Sequence, residues 1–238
     1  RLNLYDDGVG TYSGIVFREK KKLKQIVLQV LLHTRFYEVL DEIYCYHPKL
    51  VNASRDIKIT PIKVSGKINQ VMNEIIQGKE KVYLGKKVVF LDQGITNIPS
   101  IKEGLDMFSK YFSKEEVIIK RHPRVKNQIM FSDYVISDDG LPSEAIVASL
   151  NCSKCIFVAH SSTGCISPLL INGERPYVIM LNRLCSNDSD SINDGNFKGA
   201  NSAQVETFFD EINKFAGFEY IRRPKTISEL EDYLKEIE

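Results

Sequence analysis

K-K-V-V-F-L-D-Q-G, Lys86 to Gly94, decides how the rest of the chain is read. Val88 to Leu91 is a short apolar run between lysines and a glycine turn. A run of that length and composition reads as a strand buried on both faces, the kind found inside parallel sheets. Asp92-Gln93-Gly94 then marks where the strand ends and the chain turns.

Outward from this strand toward the C-terminus, helix-like and strand-like segments alternate. S-I-K-E-G-L-D-M-F-S-K-Y-F (Ser100 to Phe112) reads as a helix, with Ser100 as cap and Glu103 three residues on as a capping box. E-V-I-I-K-R-H-P-R (Glu116 to Arg124) is a strand ended by Pro123. Y-V-I-S (Tyr134 to Ser137) is a second short strand, and S-E-A-I-V-A-S-L (Ser143 to Leu150) a short helix. K-C-I-F-V-A-H-S-S-T-G (Lys154 to Gly164) is a strand running into a small polar turn, and P-Y-V-I-M-L (Pro176 to Leu181) is another strand. Asn182 to Ser202 is a polar loop, and Gln204 to Phe215 and Thr226 to Ile237 are amphipathic helices. This alternation predicts an α/β fold, a parallel sheet with helices on both faces.

Toward the N-terminus the pattern is sparser. Gly66 to Gly78 has apolar residues at Ile68, Val71, Met72, Ile75 and Ile76, a helical face closed by Gly78. E-I-Y-C-Y (Glu42 to Tyr46) reads as a strand. Ile26 to Leu32 is either a strand or a buried helix, which periodicity does not separate. The chain opens R-L-N-L-Y-D-D-G, as if at the end of a strand. With no initiator Met, Arg1 reads as a boundary within a longer protein.

The chain has 238 residues and a formal net charge of +1, with 43% hydrophobic residues. That balance fits a soluble globular protein and argues against a broad nucleic-acid-binding face. K-K-K-L-K-Q (Lys20 to Gln25) reads as a solvated loop, with an anionic membrane surface or glycan as the alternative. Cys45, Cys152, Cys155, Cys165 and Cys185 form no paired framework, which suggests reduced thiols in a reducing, cytoplasmic compartment. The C-x-x-C of Cys152 and Cys155 feeds an apolar run and reads as buried core. No stretch approaches the roughly 18 to 20 apolar residues of a membrane span.

In open α/β sheets, ligands bind where strands end. Four polar clusters fall there: Tyr5-Asp6-Asp7-Gly8, Lys120-Arg121-His122-Pro123-Arg124, Leu141-Pro142-Ser143-Glu144, and His160-Ser161-Ser162-Thr163-Gly164. Hydroxyls and backbone N–H groups at the last suit an anion, although a Ser or Thr also serves as an ordinary helix cap. His122 between Arg121 and Pro123 sits in a cationic setting suited to a phosphate or a leaving group. Asp6 and Asp7 on a glycine turn suit a general base or a metal, or a simple turn. His47-Pro48 lacks flanking arginines and reads as a structural turn. Asp138-Asp139-Gly140, and Asp188 with Asp190, read as loop. Neither G-x-G-x-x-G nor G-K-[ST] is present.

Asp-Asp-Gly, Lys-x-His-Pro, Pro-x-Glu and Ser-Ser, in that order and each after a strand, resemble the bacterial CMP-sialic-acid-dependent sialyltransferases. These comprise the lipooligosaccharide sialyltransferases and the capsule polysialyltransferases. The resemblance covers Tyr5 to Gly164 and implies a GT-B fold, two Rossmann-like domains facing across a cleft. It implies residues 1–82 as the C-terminal part of the acceptor-binding domain, the rest of which would precede Arg1. Residues 83–225 would be the CMP-donor-binding domain, and 226–238 a C-terminal helix. It further implies an inverting transfer of sialic acid from CMP-sialic acid to a cell-surface glycan, lipooligosaccharide or capsule, without metal or other cofactor. The implied catalytic residues are Asp6 as general base, Asp7 as the alternative, and His122. Gln93, Gly94, Lys120, Arg121, Pro123, Glu144, Ser161, Ser162 and Thr163 are the implied donor-binding residues. Peripheral attachment to the inner face of the cytoplasmic membrane and homo-oligomerisation are also compatible with it. Other readings stay open: a transferase for CMP-Kdo or a nucleotide-diphosphate sugar, a non-catalytic nucleotide- or glycan-binding module, and, more distantly, a metal-dependent phosphatase.

Overall fold

The computed structural model describes residues 2–5, 12, 40–51, 57–63, 66–93, 99–122, 133–137, 140–147, 150–185, 203–214, 217 and 220–237. Lys20 to Gln25, Ile26 to Leu32, Asp188 and Asp190 lie outside them.

Among the described residues, two parallel sheets carry the fold. The first has three strands in the order β1 (Leu2–Tyr5), β2 (Leu40–Cys45), β3 (Lys58–Pro61). The second is built from β4 (Val88–Leu91), β5 (Val117–Lys120), β6 (Val135–Ser137), β7 (Ile156–Ala159), β8 (Tyr177–Met180) and β9 (Ile221–Arg222). Its spatial order is β6-β5-β4-β7-β8-β9, with every pair parallel. Between and after the strands lie α1 (Lys67–Ile76), α2 (Pro99–Phe108), α3 (Ser143–Val147), α4 (Ser167–Asn172), α5 (Ala203–Ile212) and α6 (Ile227–Ile237).

The period-2 geometry of a strand sorts the second sheet's side chains onto two faces. Val88, Phe90, Val117, Ile119, Ile156, Val158 and Ile179 join one apolar cluster, with Leu105 and Phe108 of α2 and Leu230 and Leu234 of α6. Their neighbours Val89, Leu91, Ile118, Phe157, Ala159, Val178 and Met180 join the other, with Ala145 and Ile146 of α3 and Phe209 and Ile212 of α5. Since both faces are covered, β4, β5 and β7 are buried at every position, as continuous apolar runs require.

The small sheet packs into the second cluster through Leu4, Ile43, Cys45 and Ile59. Tyr12 stacks on Phe208 of α5 at 5.9 Å between ring centroids. Its hydroxyl accepts from the His47 N–H at 3.4 Å, at the start of a one-turn helix, so His47-Pro48 is a packed structural turn. The sheet's other face carries Asn3, Tyr5, Glu42, Tyr44, Lys58 and Thr60.

Three local expectations change. α2 starts at Pro99, whose fixed φ suits the first helical position, so Ser100 lies inside the first turn and does not form the expected capping box. Along α1 the apolar residues split: Ile76 is buried and Met72 half-buried, while Val71 and Ile75 face outward. β3 and β9 are strands that apolar periodicity does not announce, one ending in Pro61 and the other two residues long. Gly78 takes a positive φ of 84° just past α1, the backbone turn for which a glycine is suited. Among the described residues no helix is long and apolar enough to cross a membrane.

Candidate functional site

In chain order, the second sheet starts in the middle, grows outward through β5 and β6, then crosses back to β7 and grows the other way. The connections after β4 and β7 therefore leave in opposite directions. Between them, at the C-terminal strand ends, such sheets open a crevice.

The strand register sets what lines that edge. Leu91 pairs with Lys120 on one side and Ala159 on the other, and Ala159 pairs with Met180. Gln93, His122, Ser161 and Asn182 each stand two residues beyond one of these paired positions. Strands about 4.8 Å apart thus place three expected site residues, Gln93, His122 and Ser161, on adjacent strand ends.

Gln93 and Ser161 are joined directly. The Ser161 N–H donates to Gln93 Oε1 at 2.7 Å across the crevice. Ser161 is buried, and its Oγ lies 3.0 Å from Nδ1 of the buried His160. Ser162 Oγ accepts the Gly164 N–H at 3.2 Å and caps the helical turn Thr163–Ile166. The capping and ligand-binding readings of Ser162 are compatible, because the cap uses a lone pair and leaves its O–H proton for another acceptor. Ser162 and Thr163 are half-exposed.

Glu144 comes in from α3. Ser167 Oγ donates to its Oε1 at 3.3 Å and Ser143 Oγ to its Oε2 at 3.1 Å. Two hydroxyls orient the carboxylate, and its remaining lone pairs can accept further bonds. Gly164 permits this approach: a Cβ there would lie 3.0 Å from Leu91 Cδ1 and from Ser143 Oγ. A side chain would press β4, α3 and the serine turn apart.

Lys120 and Arg121 differ from a simple cationic loop. Lys120 is the last residue of β5 and is 5% exposed, and its C=O accepts the Asp92 N–H at 3.0 Å. The Arg121 N–H donates to Ser137 O at 3.0 Å, and its side chain is half-buried, like that of His122. Asp6, Asp7, Gly94 and Pro123 lie outside the described residues, as do Asp138 and Asp139.

Sequence reasoning named His160 only as part of the serine cluster, without a role, and passed over Ser167 and Asn182. His160 carried a signal, a polar residue directly after a fully apolar strand. Ser167 carried none, since only the fold brings it to Glu144. Asn182 Nδ2 donates to Glu206 Oε1 of α5. Arg183 and Arg223 grip the same helix: Arg183 reaches Glu206 at 3.0 Å and Asp210 at 2.7 Å, and Arg223 reaches Asp210 at 2.7 Å and also Glu206. Residues 186–202 of the expected loop lie outside the described residues. All five cysteines are buried, and burial pushes the Cys155 thiol up to about 11 and those of Cys152 and Cys165 further.

No curated protein sequence matches the chain. A solved structure described as the glycotransferase of kitacinnamycin overlays 84% of it at 15% identity, with a TM-score of 0.42. The chain spans about half of that protein, 46% of its length. The model of a known family, described as alpha-2,8-polysialyltransferase, matches residues 1–169. That match runs from β1 through the Asp-Asp-Gly, His-Pro, Pro-x-Glu and Ser-Ser segments into α4, and the chain belongs to the alpha-2,8-polysialyltransferase family.

Proposed function

We propose that the chain carries the donor-nucleotide site of an inverting sialyltransferase, which moves sialic acid from CMP-sialic acid to a glycan acceptor. The observation that supports this reading best is the shared edge. Gln93, His122 and Ser161 end adjacent strands at the topological switch point, and Glu144 is held beside the serine turn.

In this reading Ser161 and Ser162 bind the CMP phosphate with their hydroxyls, with Thr163 beside them in the same turn. His122 donates to the same phosphate as CMP departs, with Arg121 and Lys120 supplying positive charge. Glu144 accepts from the ribose hydroxyls, and Gln93 and Gly94 line the pocket. Asp6, with Asp7 as the alternative, takes the proton of the acceptor hydroxyl. Attack on the face opposite CMP inverts the anomeric centre through an oxocarbenium-like state. The leaving group bears one phosphate, which positioned hydroxyl, imidazole and N–H groups stabilise, so the reading assigns no metal or other cofactor. A GT-B pairing of two Rossmann-like domains, a lipooligosaccharide or capsule acceptor and attachment to the inner membrane face all belong to the same proposal.

Calorimetric titration with CMP and UDP, first in EDTA and then with Mg²⁺, tests it. CMP-selective binding without metal is the expected result. A UDP preference that depends on metal would replace the CMP donor with a nucleotide-diphosphate sugar. CMP binding with neither transfer nor donor hydrolysis in a longer protein would leave a binding module.

A further inference from the structure

We propose that His160 is a positioning residue for the donor phosphate: its Nδ1–H donates to Ser161 Oγ and so turns the Ser161 hydroxyl proton toward an anionic ligand oxygen. This rests on the reading of the serine turn as a CMP-phosphate site.

Ser161 has two hydrogen-bond donors, its N–H and its O–H. The N–H is taken by Gln93 Oε1 at 2.7 Å. Only the hydroxyl is left for an anion, and a hydroxyl has one proton and two lone pairs. His160 Nδ1 lies 3.0 Å from that oxygen. If Nδ1 accepts, the Ser161 proton points into the protein and the oxygen offers lone pairs to the phosphate, which repels them. If Nδ1 carries the proton, His160 fills a lone pair of Ser161 and the O–H is released to donate. His160 is 2% exposed and Ser161 5%, so the protein and not solvent fixes the direction of this bond. A neutral imidazole has one N–H, and its tautomer decides which state is built. Ser162 adds to the argument. Its oxygen accepts the Gly164 N–H at 3.2 Å, so its own proton is likewise spared. Two neighbouring serines, each accepting inside the protein, would present two O–H donors to one phosphate.

The test combines nitrogen-detected NMR of the wild-type His160 ring near neutral pH with CMP titrations of variants. The expected tautomer is Nδ1–H. His160→Asn, whose amide N–H falls near the Nδ1 position, should bind CMP within about threefold of wild type. His160→Leu should bind roughly tenfold more weakly, as should Ser161→Ala, the scale of one hydrogen bond to a charged group. In the Ser161→Ala background, His160→Leu should cause no further loss, an outcome that general loss of packing at His160 would not give. A protonated Nε2 with bare Nδ1, Asn as weak as Leu, or additive losses would each overturn the proposal. If wild type fails to bind CMP, the donor-site reading falls, while the tautomer still decides the direction of the His160–Ser161 bond. That measurement needs no variant to fold.

Discussion

Gln93 and Ser161, 68 positions apart in sequence, are joined by a 2.7 Å bond from the Ser161 N–H to Gln93 Oε1. It links the ends of β4 and β7, the strands between which the sheet reverses its order. Replacing Gln93 with Leu keeps most of its volume and removes the acceptor. Stability should fall by about 1–3 kcal/mol, the cost of leaving an N–H without its partner in a largely buried setting. Denaturant midpoints measure this, and exchange of the Ser161 amide should quicken. An unchanged midpoint with unchanged exchange would mean that water or another group replaces Gln93 without loss.

His122 is half-buried at a strand end and belongs to neither apolar cluster. His122→Ala should therefore leave folding stability within roughly 0.5 kcal/mol, as at most positions outside the core. In an active, longer form of the protein, turnover should drop on the order of 10²- to 10⁴-fold, and Asp6→Asn should do the same. Near-normal turnover in both would remove them from the acid–base roles.

Gly164 has no room for a methyl group without movement of Leu91, Ser143 or Ser162. Gly164→Ala should cost about 1–2 kcal/mol by overpacking and weaken CMP binding through the displaced serine turn. Gly66, with nothing within 4 Å of its Cβ position, is the control and should accept Ala in both assays.

On the outer face of the small sheet, the hydrogen bond from Lys58, with those from Thr60 and Tyr44, holds the Glu42 carboxyl down to about 2 from an ordinary 4.5. Lys58 Nζ lies 2.7 Å from Glu42 Oε1, and the Tyr44 hydroxyl donates to Oε2 at 3.0 Å. A lowered carboxylate stabilises the fold above its unfolded pKa and loses that contribution as pH falls through the folded one. Acid titration of stability should show this loss between about 4.5 and 2, and Glu42→Gln should flatten the profile in that window. A variant profile identical to wild type would mean that Glu42 has the same pKa in the unfolded chain.

Burial raises the thiols of Cys152, Cys155 and Cys165, which therefore lack thiolate character, and all five cysteines are buried and lack access. Alkylation near pH 8 should label the native protein slowly and all five positions rapidly in denaturant. Fast native labelling of Cys152 or Cys155 would instead indicate local opening around β7.

The parallel sheet was legible because Val88 to Leu91, Val117 to Ile119 and Ile156 to Ala159 are unbroken apolar runs, which burial on both faces demands. β3 was not legible: Lys58-Ile59-Thr60-Pro61 has a single aliphatic residue, none of the four is fully buried and it ends in proline, so little in it separates strand from loop. Ser100 misled for a simpler reason, since the preceding proline begins a helix as readily as a serine caps one. At the site, the polar residues after the strands could be named from the sequence, but their partners could not. Ser143-Glu144 and Ser167 are separated by a strand and a turn, and only the crossover from α3 through β7 to α4 makes them neighbours. His160 was visible as a residue yet silent as a participant, because its contact with Ser161 depends on a side-chain direction that sequence does not encode.

Tyr111 and Glu231, 120 positions apart, are hydrogen-bonded at 3.3 Å where α6 lies along α2. That contact has a temporal consequence on the ribosome. When α2 emerges, the side on which Leu230 and Leu234 will pack is open, and it lacks those two leucines while β5 through β9 are made. At roughly 5–20 residues per second the interval is on the order of ten seconds. Nascent chains arrested before Ile227 should thus display an apolar α2 surface that chaperones recognise, and release of α6 from the exit tunnel should end that recognition.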